Sequence, residues 1–319
     1  MKKSSVRHIV TCTDANYMHK VVVFYRSLCK VHNNFILHLF CFDNIAVAVF
    51  KKFRYKNVIV YDPKDFETDE LLKVKASKVK KYEYYWACNP FITRKVLLEQ
   101  NVDFVSSCDC DLVFFQSPEE IFKELNGADV LIQPNNFSFQ FSADYTKIGY
   151  YCASFQCFRK NINSIKILNW WHQQTMGWCS SKFEEGRFGD QKYLDDWRTR
   201  FKKVREIANV GTNVAPWSVQ KFDLSTQNGN LMINHKYPVI YYHFHSFRMK
   251  LKNCEYIITG DRHNSYPISS TVRRLIYEPY AKTLKKTIEE LKKNIEYAEY
   301  AGINPEGIQL PFDHTLPKI

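Results

Sequence analysis

Apolar and polar positions alternate in blocks that predict strands and helices in turn. Residues 8–12, His-Ile-Val-Thr-Cys, form a short apolar run of the kind a buried strand needs. From about Asn16 to Val31 the apolar positions Val21, Phe24, Tyr25 and Leu28 recur at helical spacing. Residues 35–43 and 57–61 predict a second and a third strand, and Asp62-Pro63 marks a loop. Tyr84 to Glu99 reads as a helix, followed at 103–115 by a central strand with an irregular end. Ser117-Pro118-Glu119-Glu120 has the order of a helix start, with acids in the first turn, and 128–134 is another strand. Such alternation predicts an α/β fold with a largely parallel sheet.

The second half is less regular. Residues 150–158 predict a strand, Ile162 to Thr175 a helix, and Gly189 to Trp197 a short helix. Two strands are expected at 231–234 and 239–245. From Arg273 to Tyr300 the pattern is helical, with Leu284, Ile288, Leu291 and Ile295 in one stripe and lysines opposite. That stripe fits a helix packed on the body; attachment to a membrane surface or a partner is the second reading.

Composition narrows the class. With 45% hydrophobic and 16% aromatic residues, the chain of 319 residues is not a disordered one. No apolar run approaches the roughly 18 residues that span a bilayer, and the basic start lacks the apolar stretch of a secretory signal. The ten cysteines form no Cys-x-x-Cys pair, and several lie in apolar runs, where they read as small reduced hydrophobes. The expectation is therefore an intracellular, cytoplasmic protein. Net charge is +12, with clusters at Lys73, Lys75, Lys78, Lys80 and Lys81, and again at Arg273, Arg274, Lys282, Lys285, Lys286, Lys292 and Lys293. No nucleic-acid module accompanies them, so no nucleic-acid partner is expected. A solvated lysine face accounts for most of this charge, and contact of the C-terminal helices with an anionic membrane surface for some.

The sharpest chemical signal is Cys108-Asp109-Cys110-Asp111 before Leu-Val-Phe-Phe. Two acids at the end of an apolar strand are costly unless paired or bound to a cation. At the carboxyl end of a strand they face the crevice where α/β proteins bind ligands. Hard carboxylate oxygens suit Mg²⁺ or Mn²⁺ bridging to a diphosphate. A second chemistry also fits, with Asp109 as the covalent nucleophile of a haloacid-dehalogenase-like phosphatase. That reading wants the motif nearer the N-terminus and a later acidic pair after a strand; Asp195-Asp196 stands on an expected helix instead.

Other residues offer complementary chemistry. Thr11 to Tyr17 follow the first strand and can present Thr and Asp to a base edge and a ring to stack on it, while Asp14 also makes a sound helix cap. His243 and His245 share one strand face, and one of them could complete a two-aspartate, one-histidine metal site. Gly189-Asp190-Gln191-Lys192 pairs an acid with an amide, fit for sugar hydroxyls or as a weak nucleophile near an anomeric carbon.

Five stretches, at residues 84–91, 108–115, 187–197, 211–217 and 243–247, together resemble the GT-A glycosyltransferases. Within that class they are similar to the nucleotide-diphospho-sugar transferases of the retaining galactosyltransferase and glycogenin group. The likeness runs from the first strand to about residue 250. It implies a Rossmann-like GT-A domain over residues 1–250 and a C-terminal helical extension over 251–319 packed on the body. It implies transfer of a sugar from a nucleotide diphosphate, UDP foremost, to a carbohydrate or lipid-linked glycan acceptor, with retention of configuration. Thr11, Thr13, Asp14 and Tyr17 would line the base pocket, with Arg94 and Lys250 at the phosphates. Asp109 and Asp111 would bind metal and ribose, with His243 as third protein ligand and His245 as its alternate. Asp190 and Gln191 would act on the donor sugar, with Asn213 and Cys152 beside it. The family commonly carries Asn-x-Gly after the acidic motif; here Cys152 stands where that asparagine is expected, which leaves the sugar open. A nucleotide-sugar-binding protein without turnover is the non-enzymatic alternative.

Overall fold

The computed structural model describes residues 6–78, 80–184, 186–252, 255–260 and 266–294. Strands β1 (Arg7–Thr13), β2 (Phe35–Cys41), β3 (Val58–Tyr61) and β4 (Phe104–Cys108) come first along the chain. They are followed by β5 (Leu112–Phe114), β6 (Val130–Pro134), β7 (Tyr151–Arg159) and β8 (Val204–Glu206). Seven of these form one sheet in the order β3-β2-β1-β4-β7-β6-β8. β7 runs antiparallel to both its neighbours, and every other pairing in this sheet is parallel.

The order explains where a ligand can sit. The chain winds outward from β1 through β2 to β3, then returns to lay β4 on the other side of β1. At such a reversal the loops leaving the two strands diverge and open a crevice at their carboxyl ends. Those loops are Thr13 to Tyr17 and Asp109 to Asp111.

Alternation along the strands feeds two layers of core. Val10, Val130 and Ile132 point to a cluster with Tyr84, Cys88 and Ile92 of the Lys81–Glu99 helix and Leu168 and Trp171 of the Ile162–Gly177 helix. Ile9 and Leu131 point the other way, to Phe24 and Leu28 of the Met18–Val31 helix and to Phe114 and Tyr241. Trp171 and Trp197 are fully buried and meet edge to face at 5.3 Å. Large rings of this kind contribute roughly 2–3 kcal/mol each through burial alone.

Two sequence expectations change in the fold. The run at 103–115 is two strands, because the chain turns sharply at Asp109 to Asp111. After the turn β5 leaves the main sheet and pairs antiparallel with a late strand. That partner follows a small meander of β9 (Leu224–Gln227), β10 (Asn230–Ile233) and β11 (Tyr237–Pro238), and is β12 (Tyr241–His243). The expected helix at 189–197 is a tight 3₁₀ segment, Lys192–Asp196, running into Trp197–Arg200.

The C-terminal stripe is covered. The Glu278–Asn294 helix buries Tyr280, Leu284, Ile288 and Leu291, and Arg26 of the Met18–Val31 helix reaches its Glu290 at 2.7 Å. Ile295 lies outside the described residues. No helix among the described residues is long and apolar enough to cross a membrane. The described cysteines are free thiols.

Candidate active site

The β5–β12 pair assembles the centre. Its register sets His243 opposite Leu112, and the Phe244 amide donates to the Asp111 carbonyl at 2.9 Å. A histidine late in the chain is thereby fixed beside the acidic turn. His243 Nε2 stands 3.1 Å from Asp111 Oδ1 and 3.7 Å from Asp109 Oδ2. One ligand atom from each of the three side chains falls within 4.8 Å of the others. Nε2 is buried yet makes no aligned hydrogen bond. Two carboxylates and an imidazole converging on one point, with a buried ring nitrogen that makes no aligned hydrogen bond, fit a divalent cation of the Mg²⁺ or Mn²⁺ kind.

Charges are balanced around this point. Lys20, on the first helical turn, holds Nζ 3.9 Å from Asp111 Oδ2 and over the Tyr17 ring at 4.2 Å. Burial works against an ionised Asp111, but His243 and Lys20 hold its carboxyl below the ordinary range. Burial likewise opposes a charged His243, and Asp111 reverses that, raising its proton affinity. Asp109 shifts upward through its enclosure first and then through Asp111 and Asp190, against the pull of His243. With 46% of its side chain open, water in the cleft tempers that shift.

A cavity of about 490 Å³ runs over the centre. Its lining includes Thr11, Thr13, Asp14 and Tyr17, and Tyr85 and Trp86. Thr11 Oγ1 is buried there without a hydrogen-bond partner. Asp14 is not the helix cap: the helix starts at Met18 after Tyr17. Instead Asp14 closes an Asx turn, accepting from the Asn16 amide at 3.0 Å and from the Tyr85 hydroxyl at 3.1 Å. Burial raises its pKa against the bonds it accepts from the Asn16 side-chain amide and the Tyr85 hydroxyl.

Asp190 and Gln191 line the cavity beyond the acidic turn. Asp190 Oδ2 accepts from Asn89 Nδ2 at 3.2 Å, and the Asn89 oxygen in turn accepts from Ser107 Oγ at 2.7 Å. Burial pushes Asp190 up to about 7, against the Asn89 bond. Gln191 Oε1 accepts from the Ala153 amide and Nε2 donates to the Ile148 carbonyl, so this amide ties β7 to the loop before it at the cavity wall. Gly189 makes the approach possible. Its φ is +53°, and a Cβ there would meet the Trp86 ring at 3.3 Å.

Of the remaining expected residues, Arg94 and Asn213 lie away from the cavity lining. Arg94 does not line the cavity; its guanidinium donates to Asn169 at 2.5 Å, tying two helices together. Asn213 is buried with φ of 47° and donates to the Pro134 carbonyl, so it shapes a turn rather than reaching the cavity. His245 lines the rim beside Trp217, while His243 occupies the centre. Lys250 lies on the Arg248–Lys252 strand, and its side chain is outside the described residues. Part of the first lysine cluster is structural: Lys78 donates to the Cys179 carbonyl at 2.6 Å and Lys80 to Ser181 Oγ at 3.1 Å, holding the cavity wall. Sequence reasoning missed Asn89 and Lys20. The signal for Asn89 was its place one helical turn beyond Tyr85; a lysine buried on an apolar helix face leaves no such trace.

No protein-family model matches the chain. It is 25% identical over 295 residues to the uncharacterized protein YfnD of Bacillus subtilis (strain 168), covering 90% of this chain and 92% of that one. To YfnF of the same organism, also uncharacterized, it is 24% identical over 282 residues, covering 86% and 90%. Among solved structures it is similar to the galactosyltransferase LgtC in complex with donor and acceptor sugar analogs. The TM-score is 0.51 at 14% identity, over 90% of this chain and 100% of that one. It is also similar to the apo form of the glycosyltransferase GlyE of Streptococcus pneumoniae TIGR4. There the TM-score is 0.50 at 12% identity, over 90% of this chain and 64% of that one. These likenesses give the fold, which is the GT-A fold, a mostly parallel sheet flanked by helices.

Proposed function

We propose that the chain is a metal-dependent glycosyltransferase that moves a sugar from a nucleotide-diphosphate donor, UDP-linked, to a hydroxyl of a carbohydrate or lipid-linked glycan acceptor. The observation that carries this reading is the convergence of Asp109, Asp111 and His243 in one cavity that Thr11, Asp14, Tyr17 and Asp190 also line. The fold shared with LgtC and GlyE supports it.

Asp109, Asp111 and His243 would hold Mn²⁺ or Mg²⁺, which when bound neutralises charge on the departing diphosphate. Thr11 and Asp14 line the cavity and can bond a base edge, and the Tyr17 ring can stack on it. Asp190, buried and poised near neutrality, is the group suited to face positive charge developing at the anomeric carbon. Gln191 fixes the wall against which the sugar lies. Retention of configuration is carried by the resemblance at Asp190 and Gln191, which both line the cavity.

The phosphatase alternative finds no support here. The acidic pair it needs is engaged elsewhere: Asp195 accepts from the Tyr150 amide at 2.7 Å and from Lys192 at 2.8 Å, and Asp196 pairs with Arg200. Within this reading the catalytic unit is residues 1–250. The extension from 251 braces the Met18–Val31 helix and turns Arg273, Lys282 and Lys286 outward, where an anionic membrane would meet them.

Titration of UDP with and without Mn²⁺, followed by donor hydrolysis across a panel of nucleotide sugars, tests the proposal. Metal-enhanced UDP binding together with turnover of one sugar supports it. Binding without turnover, with candidate acceptors present, leaves a nucleotide-sugar-binding protein. Equal binding of all nucleotides regardless of metal overturns it.

A further inference from the structure

Cys152 lines the cavity and also touches the metal centre from the side of His243 Nδ1. Across the β6–β7 pairing, Ile132 faces Gln156 and the next residue, Gln133, faces Cys152. One step on β6 thus spans four on β7, and Ala153 to Phe155 swell out of the ladder. The bulge is pinned from several sides. The Asp109 amide donates to the Ser154 carbonyl at 2.9 Å, and Gln156 Nε2 donates to the Cys152 carbonyl at 2.7 Å. Cys152 is 3% exposed and His243 2% exposed, and Sγ faces His243 Nδ1 at 4.0 Å.

The two ring nitrogens have divided tasks. Nε2 faces the two aspartates, so to bind a cation it must carry the lone pair. The proton then resides on Nδ1 and needs an acceptor. The group standing at Nδ1 is the Cys152 sulfur, 4.0 Å away.

We propose that Cys152 is a positioning residue for the cation. Its sulfur accepts the Nδ1 proton of His243, which holds Nε2 unprotonated and aimed between Asp109 and Asp111. The proposal rests on the metal-centre reading above. It adds that the residue expected to touch the donor sugar acts here through the histidine. Without an acceptor at Nδ1, the ring is free to carry a proton on Nε2 toward Asp111, and that proton competes with the cation for the same point.

The test is Mn²⁺ affinity of the full-length protein without nucleotide, by electron paramagnetic resonance, for wild type, Cys152→Ala and Cys152→Asn. Long-range ¹H–¹⁵N spectra of the Mg²⁺ form report the His243 tautomer. Expected are a loss of about 10–100-fold in affinity for the alanine variant, a mixed tautomer, and recovery of both in the asparagine variant, whose carbonyl can accept. Where the alanine variant does not fold, Cys152→Val, which fills the site with an apolar group and removes the acceptor, is expected to show the same loss and mixed tautomer by the same two measurements. Unchanged affinity overturns the proposal, as does a loss with an unmoved tautomer. Asp109→Asn separates the two readings: if it too leaves Mn²⁺ affinity unchanged, the metal centre itself has failed, whereas if it loses affinity while Cys152→Ala does not, only the role of Cys152 has.

Discussion

Lys20 Nζ stands 3.9 Å from Asp111 Oδ2 with 1% of its side chain exposed, a buried cation beside a cluster of acids that would otherwise repel one another. Such a lysine stabilises the metal-free state and works against the metal. Lys20→Met, which keeps the length and removes the charge, is expected to destabilise the metal-free protein by about 3 kcal/mol, the cost of breaking a buried pair. The same change removes a positive neighbour of the cation, so Mn²⁺ binds more tightly and raises the melting temperature by more than in wild type. Calorimetric melts with and without Mn²⁺ check both signs; a smaller metal-induced gain contradicts the assignment.

The two aspartates are not equivalent. Asp109 is 46% exposed, whereas Asp111 is 10% exposed and lies between His243 and Lys20. Both Asp109→Asn and Asp111→Asn should lower metal-dependent donor turnover by at least about a hundredfold. Only the second should also lower the melting temperature of the metal-free protein. Wild-type turnover in either variant would remove that residue from the centre.

Asp190 gives a pH signature. Its folded-state pKa is about 7, above the ordinary 3.8, because burial disfavours the charge. The fold therefore keeps a proton that the unfolded chain gives up near pH 4. Stability from this group is complete below about pH 4 and is lost as pH rises toward 7, by up to about 4 kcal/mol at 1.36 kcal/mol per unit. Asp190→Asn stays neutral throughout and should flatten the fall in melting temperature between pH 4 and 8. An unchanged slope would show that Asp190 ionises normally.

Gly189 tolerates no side chain for two independent reasons: a φ of +53° and the Trp86 ring 3.3 Å from where a Cβ would stand. Gly189→Ala should cost about 2 kcal/mol from backbone strain and overpacking together. It should reduce turnover further by shifting Asp190, which follows directly. Denaturant melts and steady-state kinetics separate the two effects. A variant as stable and active as wild type would mean the loop adapts freely.

Much of this was readable from residue order because it depends on local pattern. The apolar runs of β1, β2 and β6 alternate with amphipathic helices, and the Asp-x-Asp step declares itself by placing acids after an apolar strand. What escaped depends on direction and on distant pairing. Arg94 lies five residues after Asn89, about 140° around the helix. Asn89 therefore faces the cavity while Arg94 faces Asn169. Asn213 looked like a sugar contact, but its positive φ shows that asparagine serves the turn. The departure of β5 from the sheet depends on pairing with β12, a strand legible at 239–245 whose partner no local pattern announces. Cys152 read as a substitution in a sugar contact, and the bulge that brings it behind His243 could not be seen without β6 beside it.

The β5–β12 ladder also sets a schedule for biogenesis. Asp109 and Asp111 leave the ribosome long before His243, and strand pairing between such distant segments forms late because a large loop must first close. A nascent or prematurely terminated chain that stops before β12 carries both acids and most of the sheet but lacks the imidazole. On the proposed metal-centre reading, capture of a cation would be deferred until translation has delivered the last part of the centre.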